Sequence, residues 1–293
     1  MELNSEIVAG PARPAATVIM LRDGDGDGGL EVFLIKRHGQ SDVLGGAYVF
    51  PGGKVDRFDA ELDTATHLDQ PLHELHSALN EPDIDVLTAA GLYVAAMREA
   101  FEESGILFAL GATHAHATRA TQLLREGQAF AGVLAQMQLR LQTRSLAPWS
   151  RWITPTMPSL TTKRFDTRFF VAAVPTGQIA LHDNHEATDS VWLGPRAALE
   201  RYRDGHILLA PPQIMTLAHL TRYSSVGAVL SEARSRMPPV IQSEPFEHEN
   251  GRVVCYPGDE RHSVREKAMP GPTRLCYRNK QFQPVDGFEA LFT

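Results

Sequence analysis

The sequence has little cysteine, no long apolar run and no excess of positive charge, and each shortage excludes a class of protein. Cys255 and Cys276 are the only cysteines among 293 residues, so the fold cannot depend on a disulfide framework. No apolar run reaches the roughly 18 residues that are needed to span a membrane. The formal net charge of −7 argues against a general nucleic-acid binder, which would carry a basic face.

The amino-terminal residues 1–20 contain no basic leader followed by an apolar segment and a cleavage site. Together with the scarcity of cysteine, this leads us to expect a cytoplasmic location, where thiols stay reduced. Hydrophobic residues make up 43% of the chain and charged residues 22%, which is ordinary for a globular protein. The length allows one large domain, or one domain with an extension.

Strand-like and helical segments are mixed along the chain. ATVIMLRD and LEVFLIKR are β-branched, apolar runs of strand length, and a long helix is predicted at about Val86–Ser104. From about Met237 the composition shifts to proline, glycine and charged residues with short strands. We therefore predict an α/β or α+β sandwich, with a main domain at residues 1–230 and a small β extension at residues 231–293 packed on it.

Three glutamates lie close together near the end of the predicted helix. At about 100° per residue, Glu99, Glu102 and Glu103 fall within roughly a quarter-turn, nearly opposite the apolar side. That apolar side consists of Ala90, Val94, Met97 and Phe101. Like charges this close repel, so a cation is expected among them, and hard divalent ions prefer such oxygen ligands. The alternative is a solvated helix face on which Arg98 pairs with Glu102.

A second segment belongs with this helix. VFPGGKVDRFDAE, from Val49 to Glu61, reads as a strand that runs into a tight glycine turn. Together with REAFEESGI it resembles the Nudix box, whose pattern is G-x5-E-x7-R-E-U-x-E-E-x-G-U, where U is apolar. Gly53 occupies the first glycine position, and Asp59 stands where the family has glutamate. The second half matches at Arg98, Glu99, Ala100, Glu102, Glu103, Gly105 and Ile106.

An insertion separates the two halves of the box. Residues 60–97 lie between Asp59 and Arg98, which is 38 residues where the family pattern has seven, so 31 extra residues at about 60–90 interrupt the box. Lengthening a loop costs only about 0.6 kcal/mol per doubling, so the two halves can still meet. The spacing leaves the acidic partner of Arg98 open among Asp59, Glu61, Asp83 and Asp85.

A box interrupted at this point resembles the coenzyme A diphosphatase subgroup of the Nudix family. Arg37, Gly46 and FPGG (Phe50–Gly53) also keep a spacing that is typical of Nudix enzymes that cleave coenzyme A. Two positions of that signature differ, with His38 where a small residue is usual and Asp42 where a second arginine is usual. The resemblance implies a Nudix-type α/β/α sandwich with a central mixed sheet.

The resemblance further implies a catalytic centre that binds divalent ions, Mg²⁺ or Mn²⁺. Nudix enzymes hydrolyse a diphosphate that joins a nucleoside to another group, and metal ions neutralise its charge and activate water. By resemblance, Glu102 and Glu103 bind the metal, and the backbone carbonyl of Gly52 adds an oxygen ligand. Glu99 would be a further ligand or the base that takes the proton of the water. Arg98 would orient the carboxylates.

Other site residues are predicted outside the box. Many family members supply another acid from a later loop, and Glu186 is our first choice for it, with Asp189 second. Arginine grips phosphate through two donors, so basic side chains near the predicted strand KRFDTRFF are candidates for the phosphates of the substrate. The candidates are Arg37, Lys163, Arg164 and Arg168. Trp149 and Trp152 are expected either to stack on a base or to pack in the core.

The predicted function is metal-dependent hydrolysis of coenzyme A or acyl-coenzyme A to adenosine 3′,5′-bisphosphate and 4′-phosphopantetheine or its acyl form. The alternatives are the same chemistry on ADP-ribose or a dinucleotide, and a Nudix-fold sensor that binds a nucleotide without cleaving it. The expected partner is a small-molecule nucleotide conjugate, with neither nucleic acid nor a membrane, and a homodimer is left open.

Overall fold

The computed structural model describes residues 3–4, 6–24, 29–183, 186–248 and 251–293, and the strands in this part of the chain form two sheets. The larger, eight-stranded sheet contains β1 (Arg13–Asp23), β2 (Leu30–Arg37), β3 (Tyr48–Val49), β4 (Gly52–Lys54), β5 (Ala147–Ile153), β6 (Phe165–Ala173), β7 (Ala187–Leu193) and β8 (Val240–Gln242). The smaller, four-stranded sheet contains β9 (Glu244–His248), β10 (Gly251–Cys255), β11 (Arg274–Arg278) and β12 (Gln281–Pro284).

The larger sheet is mixed, with β1 and β6 side by side and parallel at its centre. Its order is β3-β2-β1-β6-β5-β8, while β4 pairs with β1 and β7 pairs with β2. β5 and β8 are also parallel, whereas the β1–β2, β2–β7 and β5–β6 pairs are antiparallel. The predicted central mixed sheet is therefore confirmed.

Helices cover both faces of this sheet. In the described residues they are α1 (Arg57–Ala60), α2 (Thr64–His67), α3 (Leu72–Leu79), α4 (Val86–Ser104), α5 (His114–Arg125), α6 (Phe130–Gln136), α7 (Pro195–Arg203), α8 (Pro211–Leu220) and α9 (Val226–Ser235). Successive side chains of a strand point to opposite faces, so Val18 and Met20 of β1 join the core of α3–α6, while Ile19 and Leu21 join that of α7–α9. None of these described helices is long and apolar enough to cross a membrane.

The carboxyl-terminal sheet shares a hydrophobic core with the main sheet. Val254 and Phe282 belong to the same cluster of buried residues as Ile19 of β1. The structure therefore confirms a separate carboxyl-terminal β sheet. Helix α9 crosses the predicted boundary between residues 230 and 231, and β8 pairs with β5 of the main sheet. Helix α9 packs on β1, β5 and β6, so it and β8 both contact the main sheet.

Candidate active site

Helix α4 carries the three glutamates of the second half of the box. The side chain of Asp85 caps its first turn by accepting bonds from the backbone N–H groups of Leu87 and Thr88, and Gly105 ends it in the left-handed conformation (φ 72°). The predicted bounds of this helix are therefore confirmed. Its last turns pass beside β4, so Glu103 is only 3% exposed although it is a carboxylate.

The glycine turn meets these glutamates directly. The backbone N–H of Gly52 donates to Oε2 of Glu103 at 2.7 Å. A Cβ atom on Gly53 would lie 2.5 Å from the carboxylate of Glu99, and one on Gly52 would lie 2.5 Å from the carbonyl oxygen of Ala16. At Gly52 the obstacle is backbone, so a side chain does not fit, whereas at Gly53 a side chain would displace the carboxylate of Glu99. The contact of Gly52 with the box is through its N–H; its carbonyl as a metal ligand stays a prediction.

Arg98 binds the two halves of the box together. Its guanidinium donates to both oxygens of Asp59, from Nε at 2.8 Å and from Nη2 at 2.9 Å. Nη2 also donates to the carbonyl oxygen of Lys54 at 3.0 Å, while Nη1 reaches Glu99 at 2.9 Å and Glu102 at 3.0 Å. Of the four acids that the spacing left open, Asp59 is therefore the partner of Arg98.

The insertion loops out without separating the halves. Asp59 lies in the short helix α1, where its side chain accepts the backbone N–H of Asp56 at 2.7 Å. Helix α1 can pack closely on α4 because Gly91 has no side chain, and a Cβ atom there would lie 3.1 Å from Ala60. The glycine turn, α1 and the end of α4 thus form one unit around Arg98.

The glutamates of this unit resist ionisation. Burial raises the pKa of Glu103 to about 8, although the Gly52 N–H and Arg37 favour the charged form. Burial likewise raises the pKa of Glu99 to about 7, against the opposing effect of Arg98, and it raises the pKa of Glu102. One arginine does not compensate the charge of this many carboxylates, so the site favours an additional cation.

Arg37 and Glu186 complete the polar end of the site. Arg37 lies between two carboxylates, with Nη1 at 4.0 Å from Glu103 Oε1 and Nη2 at 4.0 Å from Glu186 Oε2. Its buried Nε has no hydrogen-bond partner. The backbone N–H of His38 donates to the carbonyl oxygen of Glu186 at 2.9 Å, which fixes this loop beside β2. Asp189, the second choice for the acid, instead accepts the hydroxyl of Tyr48 at 2.6 Å.

Arg164 and Arg168 do not reach the site, so their prediction as phosphate-binding residues is corrected. Arg168 is 5% exposed and its Nε donates to Glu81 at 2.9 Å. Arg164 donates from Nε to the carbonyl oxygen of Thr154 at 3.1 Å. Arg168 lies in β6 and Arg164 immediately precedes it, whereas the cavity borders the strand face that Phe165, Thr167 and Phe169 line.

A cavity of about 740 Å³ extends from the glycine turn along this other face of β6. Near the turn it is lined by Gly52, Gly53, Glu99, Arg37 and Glu186, and further along by Trp152 and by Lys163, whose Nζ binds Asp42 Oδ2 at 2.8 Å. Trp149 instead packs in the core.

Two further lining residues, Gln213 and Tyr256, were missed by sequence reasoning. Each lies more than 150 residues from the glycine turn in the sequence, and no local pattern marks them.

The donor set of the site fits a hard divalent cation. The side chains of Glu99, Glu102 and Glu103 offer only carboxylate oxygens as donor atoms. Burial removes these carboxylates from water, so their negative charge is not fully neutralised. Within the part of the chain that the structure describes, no group of three His, Cys, Asp or Glu side chains is arranged around a single point as a finished cage. Glu99 and Glu102 instead both accept hydrogen bonds from Arg98.

Comparison with known proteins agrees with the class that this fold and site define, the Nudix hydrolases. A crystal structure of a NUDIX hydrolase from Alicyclobacillus acidocaldarius superposes with a TM-score of 0.58 at 26% identity, covering 78% of this chain and 97% of that one. Within the class, the chain belongs to the NUDT19 Nudix domain family, whose pattern matches residues 12–220.

Curated relatives carry the same family name. The acyl-coenzyme A diphosphatase NUDT19 of Xenopus laevis is 26% identical over 273 residues, covering 78% of this chain and 70% of that protein. The human acyl-coenzyme A diphosphatase NUDT19 is 25% identical over 298 residues, covering 87% of this chain and 78% of that protein. The predicted family, fold and enzyme class are therefore confirmed.

Proposed function

We propose that this chain hydrolyses the diphosphate of coenzyme A or acyl-coenzyme A, giving adenosine 3′,5′-bisphosphate and 4′-phosphopantetheine or its acyl form. The observation that carries the proposal is the closure of the interrupted box, in which Gly52 contacts Glu103 and Arg98 bonds both oxygens of Asp59. The substrate follows the relatives named acyl-coenzyme A diphosphatases and the Arg37, Gly46 and FPGG spacing.

The carboxylates of α4 hold the metal in this proposal. A bound divalent cation neutralises the charge of the diphosphate and lowers the pKa of water. Glu102 and Glu103 are its ligands, with the Gly52 carbonyl as a further oxygen. We propose Mg²⁺ or Mn²⁺, because both prefer oxygen ligands of this kind. Arg98 is a positioning residue, since it holds the carboxylates and does not border the cavity.

The remaining polar groups act on the water and the phosphates. Glu99 takes the proton of the attacking water or adds a ligand; its pKa of about 7 suits the first role, because a general base works best when its pKa lies near the operating pH. Arg37 binds a phosphate oxygen through its unpartnered Nε. Glu186, on the loop beside it, is the additional acid at the edge of the site.

The experiment is a substrate comparison with purified protein. Coenzyme A, an acyl-coenzyme A, ADP-ribose and diadenosine tetraphosphate are each incubated with Mg²⁺ or Mn²⁺, and products are separated by liquid chromatography. We expect turnover of the coenzyme A substrates with release of adenosine 3′,5′-bisphosphate, abolished by a chelator. If only ADP-ribose or only the dinucleotide is hydrolysed, coenzyme A is not the substrate and that compound takes its place in the proposal. Tight binding with no turnover of any of them would make the chain a sensor.

We also propose a cytoplasmic location, for which the low cysteine content and the two buried free thiols, Cys255 and Cys276, are the support. Fluorescence microscopy of the tagged full chain tests it, and a membrane-bounded or secreted signal would contradict it.

The homodimer that the sequence left open stays a prediction, which light scattering on the purified protein would decide.

A further inference from the structure

Several buried polar atoms that lack hydrogen-bond partners belong to residues that line the cavity. Five buried side-chain polar atoms in the described residues have no hydrogen-bond partner, and four of them belong to residues that line this one cavity. The four are Arg37 Nε, Ser159 Oγ, Gln213 Oε1 and the hydroxyl of Tyr256. Buried polar groups without partners are rare and costly in native proteins. Their concentration around one cavity indicates a ligand that supplies the missing bonds.

The four atoms divide into two kinds. Arg37 is cationic and stands beside Glu103, at the end where the diphosphate is expected. Ser159, Gln213 and Tyr256 are neutral, and their atoms can accept hydrogen bonds, while the two hydroxyls can also donate. We call these three residues the neutral subsite. A phosphate needs cationic partners, so the neutral subsite fits amide and hydroxyl groups better.

A row of aromatic side chains connects the two ends of the cavity. Phe50, two residues before the glycine turn, contacts Phe169 with ring centroids 6.2 Å apart, and Phe169 contacts Trp152 at 6.2 Å. Trp152 in turn contacts Tyr256 at 6.0 Å. All four line the cavity. One wall of the cavity between the diphosphate end and the neutral subsite is therefore apolar. Such a wall suits the alkyl groups of a bound ligand.

We propose that the neutral subsite binds the amide-bearing arm of the substrate. Hydrolysis of the diphosphate releases this arm as 4′-phosphopantetheine. Gln213 and Tyr256 pair with its amide and hydroxyl groups, and the aromatic row contacts its methyl and methylene groups. This inference rests on the proposed function and adds to it the residues that select one substrate half. The nucleotide half then lies outside the neutral subsite.

The neutral subsite depends on the carboxyl-terminal extension. Gln213 lies in the first turn of α8, but Tyr256 follows β10 of the smaller sheet and is 1% exposed. Residue 256 also lies beyond the segment 12–220 that the family pattern matches. The extension therefore completes a wall of the substrate cavity as well as packing on the main sheet.

The test uses Tyr256→Phe and Gln213→Leu, with Tyr223→Phe as the matched control. Tyr223 is half-buried, lies outside the cavity lining, and has its hydroxyl 3.4 Å from His219 Nε2. We expect KM for coenzyme A to rise about fivefold in each cavity variant, with kcat little changed, since each loses one hydrogen bond to the bound arm. Tyr223→Phe should leave KM unchanged.

Binding and stability give readouts that do not depend on turnover. Calorimetry of wild type and variants compares 4′-phosphopantetheine with inorganic phosphate, so that the difference reports the arm alone. The cavity variants should lose about fivefold affinity for 4′-phosphopantetheine and none for phosphate. Because the Tyr256 hydroxyl is unpartnered without ligand, Tyr256→Phe should not lower the Tm of the free protein. A purely structural hydroxyl would lower it.

Two results would overturn the inference. One is wild-type protein that binds 4′-phosphopantetheine no more tightly than phosphate. The other is unchanged 4′-phosphopantetheine affinity in the double variant of Gln213 and Tyr256. Failure of the proposed function is read separately, as absence of coenzyme A turnover by wild type, so the two failures are distinguishable.

Discussion

Two clusters of arginine and carboxylate side chains in this protein look alike but differ in charge balance. In the box cluster, Arg98 bonds Asp59, Glu99 and Glu102. In the sheet cluster, defined by Arg151, Arg168, Glu81 and Asp166, Arg168 bonds Glu81 at 2.9 Å and Arg151 bonds Asp166 at 2.8 Å. Each cluster ties a residue in or next to the insertion, Asp59 or Glu81, to an element outside the insertion: Asp59 bonds Arg98 near the end of α4, and Glu81 bonds Arg168 of β6.

The difference in charge balance separates a cluster that stabilises the fold from one that can bind a cation. The sheet cluster has two arginines for two carboxylates, so its charge is balanced and nothing further is required. The box cluster has one arginine for three carboxylates, and Glu103 lies beside it. An unbalanced buried group favours a cation, so excess charge rather than the presence of an ion pair distinguishes the proposed metal site.

The largest expected effect comes from reducing the excess charge. Glu103→Gln keeps the shape of the side chain but removes a buried carboxylate and a proposed metal ligand. Since even outer-shell partners of a metal contribute about 10-fold to 100-fold, we expect kcat/KM to fall at least about 100-fold. Steady-state kinetics over a range of Mg²⁺ concentrations measures this. Glu126→Gln, at the exposed residue that follows α5, is the control. Unchanged kinetics in Glu103→Gln would refute the site assignment.

Glu81→Gln should act in the opposite way, on stability and not on catalysis. It leaves two arginines of the sheet cluster with a single carboxylate, and breaking a buried ion pair costs about 3 kcal/mol of unfolding free energy. Urea denaturation measures the loss. We expect kcat of the folded protein to stay within about twofold at low temperature. A catalytic loss without destabilisation would show that the two clusters do not divide their roles as described.

Gly53→Ala sharpens the comparison by disturbing the box cluster without changing its charge. The new Cβ would lie 2.5 Å from the carboxylate of Glu99, which must move away. Since displacement of a catalytic group by about 1 Å can cost up to 100-fold, we expect kcat to fall about 10-fold or more. Gly132→Ala is the matched control, because nothing lies within 4 Å of a Cβ there. Equal activity of the two variants would contradict the tight approach.

The smallest expected effect is on the pH dependence of metal binding. Burial raises the pKa of Glu99 to about 7 and of Glu103 to about 8, so both carboxyls hold protons below this range in the metal-free protein. A cation binds only the deprotonated form, so affinity for Mg²⁺ should rise from about pH 6 to about pH 9, one unit above the higher pKa, and then level off. Calorimetry in buffers of different ionisation enthalpy should detect released protons near pH 6.5. Affinity that is flat across this range would contradict the raised pKa values.

Local patterns predicted the acidic helix and the glycine turn because each depends on residues close in sequence. The helical repeat places Glu99, Glu102 and Glu103 on one side, and Gly105 ends the helix. Alternation also predicted a common strand face for Arg168, in β6, and Arg164, immediately before it. Which face borders the cavity is decided by the packing of the whole sheet, and so both arginines were assigned to the wrong surroundings.

By itself, the sequence determined the acidic helix through its periodicity and the Nudix resemblance through motif spacing, because both are properties of short segments, and that resemblance implied the mixed sheet. Only the tertiary structure decided that Asp59 is the partner of Arg98 across the insertion, and that Gln213 and Tyr256 border the cavity. The physical reason is that contacts between distant segments are set by how the hydrophobic faces pack, and the pattern of one segment does not contain the position of another.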